Sequence, residues 1–522
     1  MREIDSRVSA LVEEYGSEGR FIERPFIPTQ KALDRLSHRG RRLLSELRAM
    51  EPQDRSESLW IHHWVEVLDT LLARMEDDRA YPFRYVSSVT QGIATFVELD
   101  ERPVRRKIEI LKNRMDQIPQ VTEAVCCRNT EVSGMKRIMT IETLDNAAAL
   151  IARTLARIAG AWSLPGVEGL LNSMQVAREA CLAACQRIRA LPEVVDPIKG
   201  LPYDELLDRV FGAPVEELAA RTKDDVRALL QKMCRAADQI RAGASPGQVL
   251  AEDFHCYENP ESMLYEMKKY VAMAREMCSA GIVDLPAEER CVVTAVPDHL
   301  QDLFPWGGYS GPDGLSGHLT GYCYVNTENL EGVNRGWLMN MALHEAYPGH
   351  HAQYVCASGG DVPRTAKTTT LYSRASHASE GMAHRSEDVY QGLFEDPLFS
   401  LFVLYRRLHT AVRILCELEL NYFGNGDESA LALYSEHMGF DEATARGQIR
   451  LQHMWRGYMT SYFTGYRKLA EIQKTAKMGD DAFTRLIFSA GFVSLSTLES
   501  LAGLPAGEHK RVFGAFSGGV VR

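Results

Sequence analysis

A mostly α-helical protein with a small β element is what the sequence predicts, on three observations. From about residue 30 to 290, apolar residues recur at spacings of three and four between short Pro- or Gly-marked joints such as LPGVEG and AGASPG. Between residues 291 and 332 the character turns β-like and Gly-rich. Beyond that the helical pattern resumes almost to the C-terminus, with one turn-rich break at FGNGDESA. No Pro/Gly/Ser-rich linker separates independent parts, so the expectation is one large domain over residues 1–522. It should have two lobes around a central cleft: a helical lobe at about 1–290 and a second at about 291–522.

Taken in order, the first residues carry scattered charges and no apolar core of signal-peptide length. No later stretch reaches the roughly 18 apolar residues of a membrane span. A cytoplasmic location without a membrane partner is therefore expected. A net charge of −11 argues against a nucleic-acid surface. The 11 cysteines are odd in number, form no CxxC pair and mostly sit in helical patterns, as Cys181 and Cys185 do, which reads as buried apolar packing in a reducing compartment. Leu59 to Met75 is in helical register, and its His62-His63 pair has no acidic neighbour at ligand spacing, so a structural or surface role is expected. In the segment after 291, CVVTAVP and Tyr322 to Val325 carry strand signals. The glycines there are not a phosphate loop, because neither GxxxxGK nor a strand-GxGxxG-helix context is present. An edge strand at this place could hold an extended peptide by main-chain hydrogen bonds, with Tyr324 and Asn326 as its binding residues.

The densest chemistry follows, in His344-Glu345-Ala346-Tyr347-Pro348-Gly349-His350-His351. Fifteen His among 522 residues put roughly 0.2 His into any eight positions, so three in this window call for a reason. A His-Glu start is apt for zinc, with the Glu serving as general base. The spacing nevertheless departs from HExxH, since Pro348 stands four residues after His344. On a straight helix His350 would lie about 120° away from His344, and His351 would share its face roughly 10 Å along the axis. Neither could share a metal with His344 unless the helix deforms. Pro348 cannot donate to the His344 carbonyl and Gly349 tolerates unusual backbone, so the sequence supplies a break there. Spacing leaves both His350 and His351 open as the returning imidazole.

A catalytic zinc takes three protein ligands, which calls for another carboxylate or His on a nearby helix. Glu380, His384 and Glu387 fall at i, i+4 and i+7, on one helical face, and can supply a ligand and its supporting partners. Further on, QHMWRGYMTSYFTGY contains His453, Arg456, Tyr458, Tyr462 and Tyr466. Tyr458 and Tyr462 share a face and are candidate donors to an oxyanion, while Arg374 or Arg456 would suit a substrate carboxylate.

These segments, GYCYVNT, HEAYPGHHAQ, SEGMAHRSE and RGYMTSYFTG, resemble in this order the bacterial family known as domain of unknown function 885, and FTRLIFSAGFVSLSTLE resembles its C-terminal helix. The resemblance spans most of the chain and is most specific in HExxPGHH. It implies a gluzincin-like, zinc-peptidase-related fold with His344, His350 and Glu380 as ligands and Glu345 as base, leaving His351, His384 and Glu387 as alternative ligands or supporting residues. Met382, His384 and Arg385 stand where the family segment reads Trp, Leu and Tyr, and Arg456 and Tyr458 where it reads Pro and Gln, so pocket residues are expected to differ. His453, Tyr458 and Tyr462 also have the offsets of the HxxxxYxxxY segment of thimet-oligopeptidase-like peptidases. The expected function is a zinc-dependent hydrolase of peptide or related amide bonds. The alternatives are a metal-dependent tailoring enzyme acting on an amino-acid-derived small molecule and a metal-free binding protein on a peptidase scaffold. The partner is a peptide or small amide substrate; sequence leaves oligomeric state open.

Overall fold

The computed structural model describes residues 1–16, 25–90, 93, 97, 102–252, 257–297, 304, 306–312, 318–330, 332–368, 372–514 and 516. Of the Gly-rich run, residues 313–317 lie outside the described residues. The mostly helical class expected from periodicity is what the chain adopts. Two compact units divide it, one holding Ser6–Met50 and Leu68–Pro202, the other Met1–Asp5, Glu51–Val67 and Tyr203–Arg522.

The first of these is helical. Helices α1 (Gln30–Arg48), α3 (Val104–Asn129), α4 (Gly134–Ala161) and α5 (Val167–Arg189) belong to it, and α3 and α4 both pack along α5. The reason is legible in α5, whose Leu170, Met174, Ala177, Cys181, Ala184 and Ile188 are buried at alternating four- and three-residue steps, one continuous apolar stripe. Cys181 and Cys185 are buried within this packing, as expected.

The second unit carries every residue singled out as chemical. Glu66 and the pair His62-His63 lie on α2 (Arg55–Asp77), where His62 and His63 meet the Ser496 and Thr365 hydroxyls, a structural role; Glu66, one turn after His62, stands 3.5 Å from its Nε2, which corrects the reading that the pair lacks an acidic neighbour. Then come α6 (Val215–Ile240), α7 (Pro260–Met277) and a three-stranded sheet of β1 (Arg290–Ala295), β2 (Gly307–Ser310) and β3 (Thr320–Val325). The order is β1-β3-β2, with β1 parallel and β2 antiparallel to β3. Tyr322 to Val325 are thus paired on both sides, which corrects the expectation of an edge strand at this segment: among the described residues the edges belong to β1 and β2.

Helices α8 (Arg335–Met341), α9 (His350–Gly359), α10 (Ala375–Val389), α11 (Pro397–Glu417), α12 (Glu442–Met454), α13 (Ser461–Ala476) and α14 (Asp480–Ala490) follow. Three of them start on a side-chain cap. Asn334 accepts from Trp337 N, Asp396 from Leu398 N with Pro397 at the first helical position, and Asp441 from Thr444 N. No described helix is long and apolar enough to cross a membrane.

Candidate metal centre

The apolar run Trp337 to Leu343 is buried and drives α8 into the interior of its unit. At Ala342 the helix widens into a π turn, Ala342–Ala346, and Tyr347 N donates to Ala342 O at 2.9 Å. The Tyr347-Pro348 peptide is cis, and α9 restarts at His350. A Cβ at Gly349 would stand 2.0 Å from His344 O and 2.4 Å from Leu343 O, so the chain passes its own carbonyls where only glycine fits. Ser386 of α10 donates to Pro348 O at 2.8 Å and pins the break. The outcome is the deformation that the spacing demanded, with the His344 and His350 rings 5.0 Å apart and nearly perpendicular.

Helix α10 brings Glu380 to this pair because α10 and α13 cross backbone against backbone. A Cβ on Gly465 would lie 1.9 Å from His377 O, and one on Gly381 would lie 2.3 Å from Gly465 C. At that crossing Glu380 Oε2 sits 3.6 Å from His344 Nε2 and 3.5 Å from His350 Nε2. These separations are long for hydrogen bonds but match two ligands of one tetrahedral ion, which stand about 3.4 Å apart when each is ~2.1 Å from the metal. Among the described residues Oε2 is a buried oxygen without a hydrogen-bond partner, whereas Oε1 accepts from Tyr458 Oη at 2.6 Å. One ligand atom each from Glu345, His344 and His350 also lies within 4.8 Å of the other two, so two carboxylates reach the imidazole pair. They differ in setting: Glu380 is buried and held, Glu345 half-buried. Two imidazoles and a carboxylate are a donor set that zinc accepts.

Around these atoms the charges are arranged for a cation. Glu387 accepts from Nδ1 of His344 at 2.7 Å and from Nδ1 of His384 at 3.0 Å. Since a carboxylate only accepts, both Nδ1 atoms carry hydrogen, which turns a bare Nε2 of His344 towards Glu380 when that ring is neutral. Burial disfavours a charged His344, yet Glu380, Glu387 and Glu345 outweigh it and lift its pKa to about 10. Burial opposes charge on Glu380 as well, but His350 and His344 hold it well below the usual carboxylate range. His384 is pushed down to about 4 by burial, partly offset by Glu387. Its ring lies 5.6 Å from that of His344 and 5.7 Å from that of Tyr462. Tyr462 in turn stacks on His344 at 6.4 Å and meets Tyr458 edge-on at 5.7 Å.

His351 is committed elsewhere. Its Nε2 bonds Glu289 Oε2 at 2.7 Å and its Nδ1 meets Tyr309 Oη at 2.7 Å. Glu289 can only accept, so Nε2 carries the proton and Nδ1 receives the tyrosine hydroxyl. Glu289 also holds Tyr347 Oη at 2.5 Å and Arg275 Nε at 2.7 Å. Gly321 makes room for this network, since a Cβ there would be 2.1 Å from Tyr309 Oη.

The expected substrate-binding residues have structural partners of their own. Tyr324 is buried in the central strand, and Asn326 shapes a turn by bonding Phe304 O and Glu328 N. Arg374 binds Arg209 O and Glu66, Arg456 binds Asn421 and lies over Tyr203, and His453 pairs with Asp427 at 2.8 Å. The departures at Met382 and Arg385 are structural rather than pocket-lining. Met382 is buried against Ser386, and Arg385 binds Gln473, Thr484 and Asp480. Conversely, Glu289, Tyr309 and Tyr347, and Arg406 and Arg413 of α11, were not singled out by sequence. The two arginines had a signal, charges seven residues apart on one face of a helix rich in apolar residues.

The chain is therefore a mostly helical protein in which a proline-broken HExxPGHH segment and a downstream glutamate converge. It belongs to the DUF885 family, described as bacterial protein of unknown function, whose model matches residues 25–501. Its fold is similar to that of two solved structures, each described as a "putative lipoprotein". One, from Colwellia psychrerythraea, has a TM-score of 0.76 at 15% identity over 96% of each chain. The other, of unknown function and from Shewanella oneidensis, has a TM-score of 0.70 at 16% identity over 95% of this chain and 98% of that one. No curated protein matches the sequence.

Proposed function

We propose that the chain is a zinc-dependent hydrolase of peptide or related amide bonds, with a gluzincin-like site. The observation that carries this is Glu380 Oε2, a buried oxygen without a hydrogen-bond partner among the described residues, placed at tetrahedral-ligand separation from two imidazole nitrogens. His344, His350 and Glu380 would hold the ion. When bound, zinc supplies Lewis acidity, polarising a carbonyl and bringing the pKa of water towards ~7.

The remaining roles belong to the side chains. Glu345, half-buried and beside both imidazoles, takes the proton of the attacking water on its carboxylate and returns it to the departing nitrogen. Tyr458 spends its hydroxyl on Glu380 Oε1 and fixes the orientation of that carboxylate. Tyr462, stacked on His344, is then the hydroxyl available to donate to an oxyanion. Glu387 orients His344 through Nδ1. The test is metal analysis of the purified protein and of His344→Ala, with a broad peptide library offered to the zinc-loaded chain. Stoichiometric zinc lost in the variant, together with library cleavage, is expected; a wild-type chain that takes up no zinc would refute the reading.

A further inference from the structure

We propose that Arg406 and Arg413 of α11 form a seat for a carboxylate of the substrate, so that the site acts on small carboxylate-bearing molecules. This deepens the proposed function and takes the His344–His350–Glu380 cluster as the reacting centre.

The two residues are seven apart, hence on one face of the helix, with His409 between them. Each is only 7% exposed. Arg406 makes no hydrogen bond or ion pair with its guanidinium among the described residues; its Nε is buried without a partner, and it lies 4.7 Å over the Trp337 ring. Arg413 directs Nε and Nη2 at a single neutral atom, Gln448 Oε1, at 3.2 and 2.8 Å, and its Nη1 meets no acceptor among the described residues. Both nitrogens of His409 are likewise buried and, among the described residues, make no hydrogen bond of good geometry, Gln448 being the polar side chain beside them.

Neighbouring interior arginines are treated differently. Arg407 meets Asp388 at 3.1 Å and the His384 carbonyl, and Arg385 has Asp480, Thr484 and Gln473. The acid whose field reaches Arg406 is Glu387, but its two oxygens are already given to His344 and His384. A buried guanidinium without an anion is costly, and such local violations concentrate where a ligand completes them.

The position fits a substrate contact. Arg413 lies 5.6 Å over the Tyr462 ring, whose other ring neighbours are His344, His384 and Tyr458, so Tyr462 stands between Arg413 and the proposed ligand His344. A guanidinium fork receives a carboxylate through two parallel hydrogen bonds, and the aromatic faces of Trp337 and Tyr462 suit a compact organic acid better than a heavily hydrated ion.

The test uses the full chain stripped of metal by a chelator, so that a carboxylate cannot bind through zinc. Calorimetric titration compares acetyl-dialanine carrying a free C-terminal carboxylate, its C-terminal amide and inorganic phosphate. The acid should bind at least about tenfold tighter than the amide, and Arg406→Met and Arg413→Gln should each remove that preference. Arg406→Met loses no protein hydrogen bond, so it should melt no lower than the natural chain, which separates lost binding from lost folding. Equal behaviour of acid and amide, including binding of neither at millimolar concentration, overturns the proposal. So does an acid preference that survives Arg406→Met, or tighter binding of phosphate than of the acid. Because binding is read without turnover, a retained acid preference in a chain that cleaves no peptide would refute the hydrolase reading alone.

Discussion

Replacing Glu387 by Gln tests the proposed site at the residue that orients it. The carboxylate accepts Nδ1–H from His344 and from His384 at 2.7 and 3.0 Å. An amide offers one acceptor oxygen and one donor nitrogen, so one imidazole must rotate or move its proton to Nε2. If His344 yields, the lone pair facing Glu380 is lost. If His384 yields, an N–H is created at an Nε2 that is buried without an acceptor among the described residues. Either outcome costs on the order of 1–3 kcal/mol, which corresponds to zinc binding weakened roughly tenfold to hundredfold. Competition for zinc against a chromophoric chelator measures this, with near-ultraviolet circular dichroism to establish that the variant is folded. A folded Glu387→Gln chain that holds zinc within about twofold of the natural protein would refute the idea that this carboxylate sets the tautomer of a ligand.

Three other substitutions separate the roles of neighbouring residues. Gly349→Ala places a Cβ against the Leu343 and His344 carbonyls, so stability should fall by about 1–3 kcal/mol in urea denaturation and zinc affinity should fall with it. An alanine chain with unchanged midpoint would show that the close approach is unimportant. Tyr458→Phe removes the donor to Glu380 Oε1 and should weaken zinc about tenfold, whereas Tyr462→Phe should leave zinc in place and lower kcat roughly 10²-fold or more. Reversal of that pattern in paired titrations and turnover assays would exchange the two roles.

The last concerns pH. Burial lifts the Glu417 carboxyl to about 7 despite donors from Gly457 N, Tyr203 and Asn421. With its unfolded value at 4.5, the native state binds the extra proton between pH 4.5 and 7, so this stabilising contribution is full below 4.5 and lost as pH rises through 7. Glu417→Gln should therefore gain stability relative to the natural chain from pH 5 to 7.5, by up to ~3 kcal/mol. A pH-independent difference in denaturation midpoints would count against it.

The helical class and most of the site were readable because they depend on short-range spacing. The three imidazoles fall within one eight-residue window, Pro348-Gly349 announces the break, and Glu380, His384 and Glu387 share a face by arithmetic alone. What could not be read depends on partners far along the chain. Arg374 looks free in sequence, yet its acid, Glu66, is 308 residues away. His351 is equivalent to His350 by composition, and it is Glu289 and Tyr309, 62 and 42 residues earlier, that withdraw it from the cluster. Strand β2 is Gly-Gly-Tyr-Ser, too short and too glycine-rich to signal itself before β3 pairs with it. The burial of Arg406 and Arg413 is likewise a product of packing, since charged residues on a helix ordinarily point to solvent.

The meeting of α10 and α13 at Gly381 and Gly465 has a practical consequence for anyone redesigning this protein. Both positions are already at minimum size, so every substitution there adds atoms where backbone stands against backbone. The adjoining Glu380 and Tyr462 therefore travel as one cassette. A mutant library spread over 381 and 465 would be spent on chains whose two helices no longer meet, while one confined to 406, 409 and 413 would vary the proposed carboxylate seat without touching that crossing.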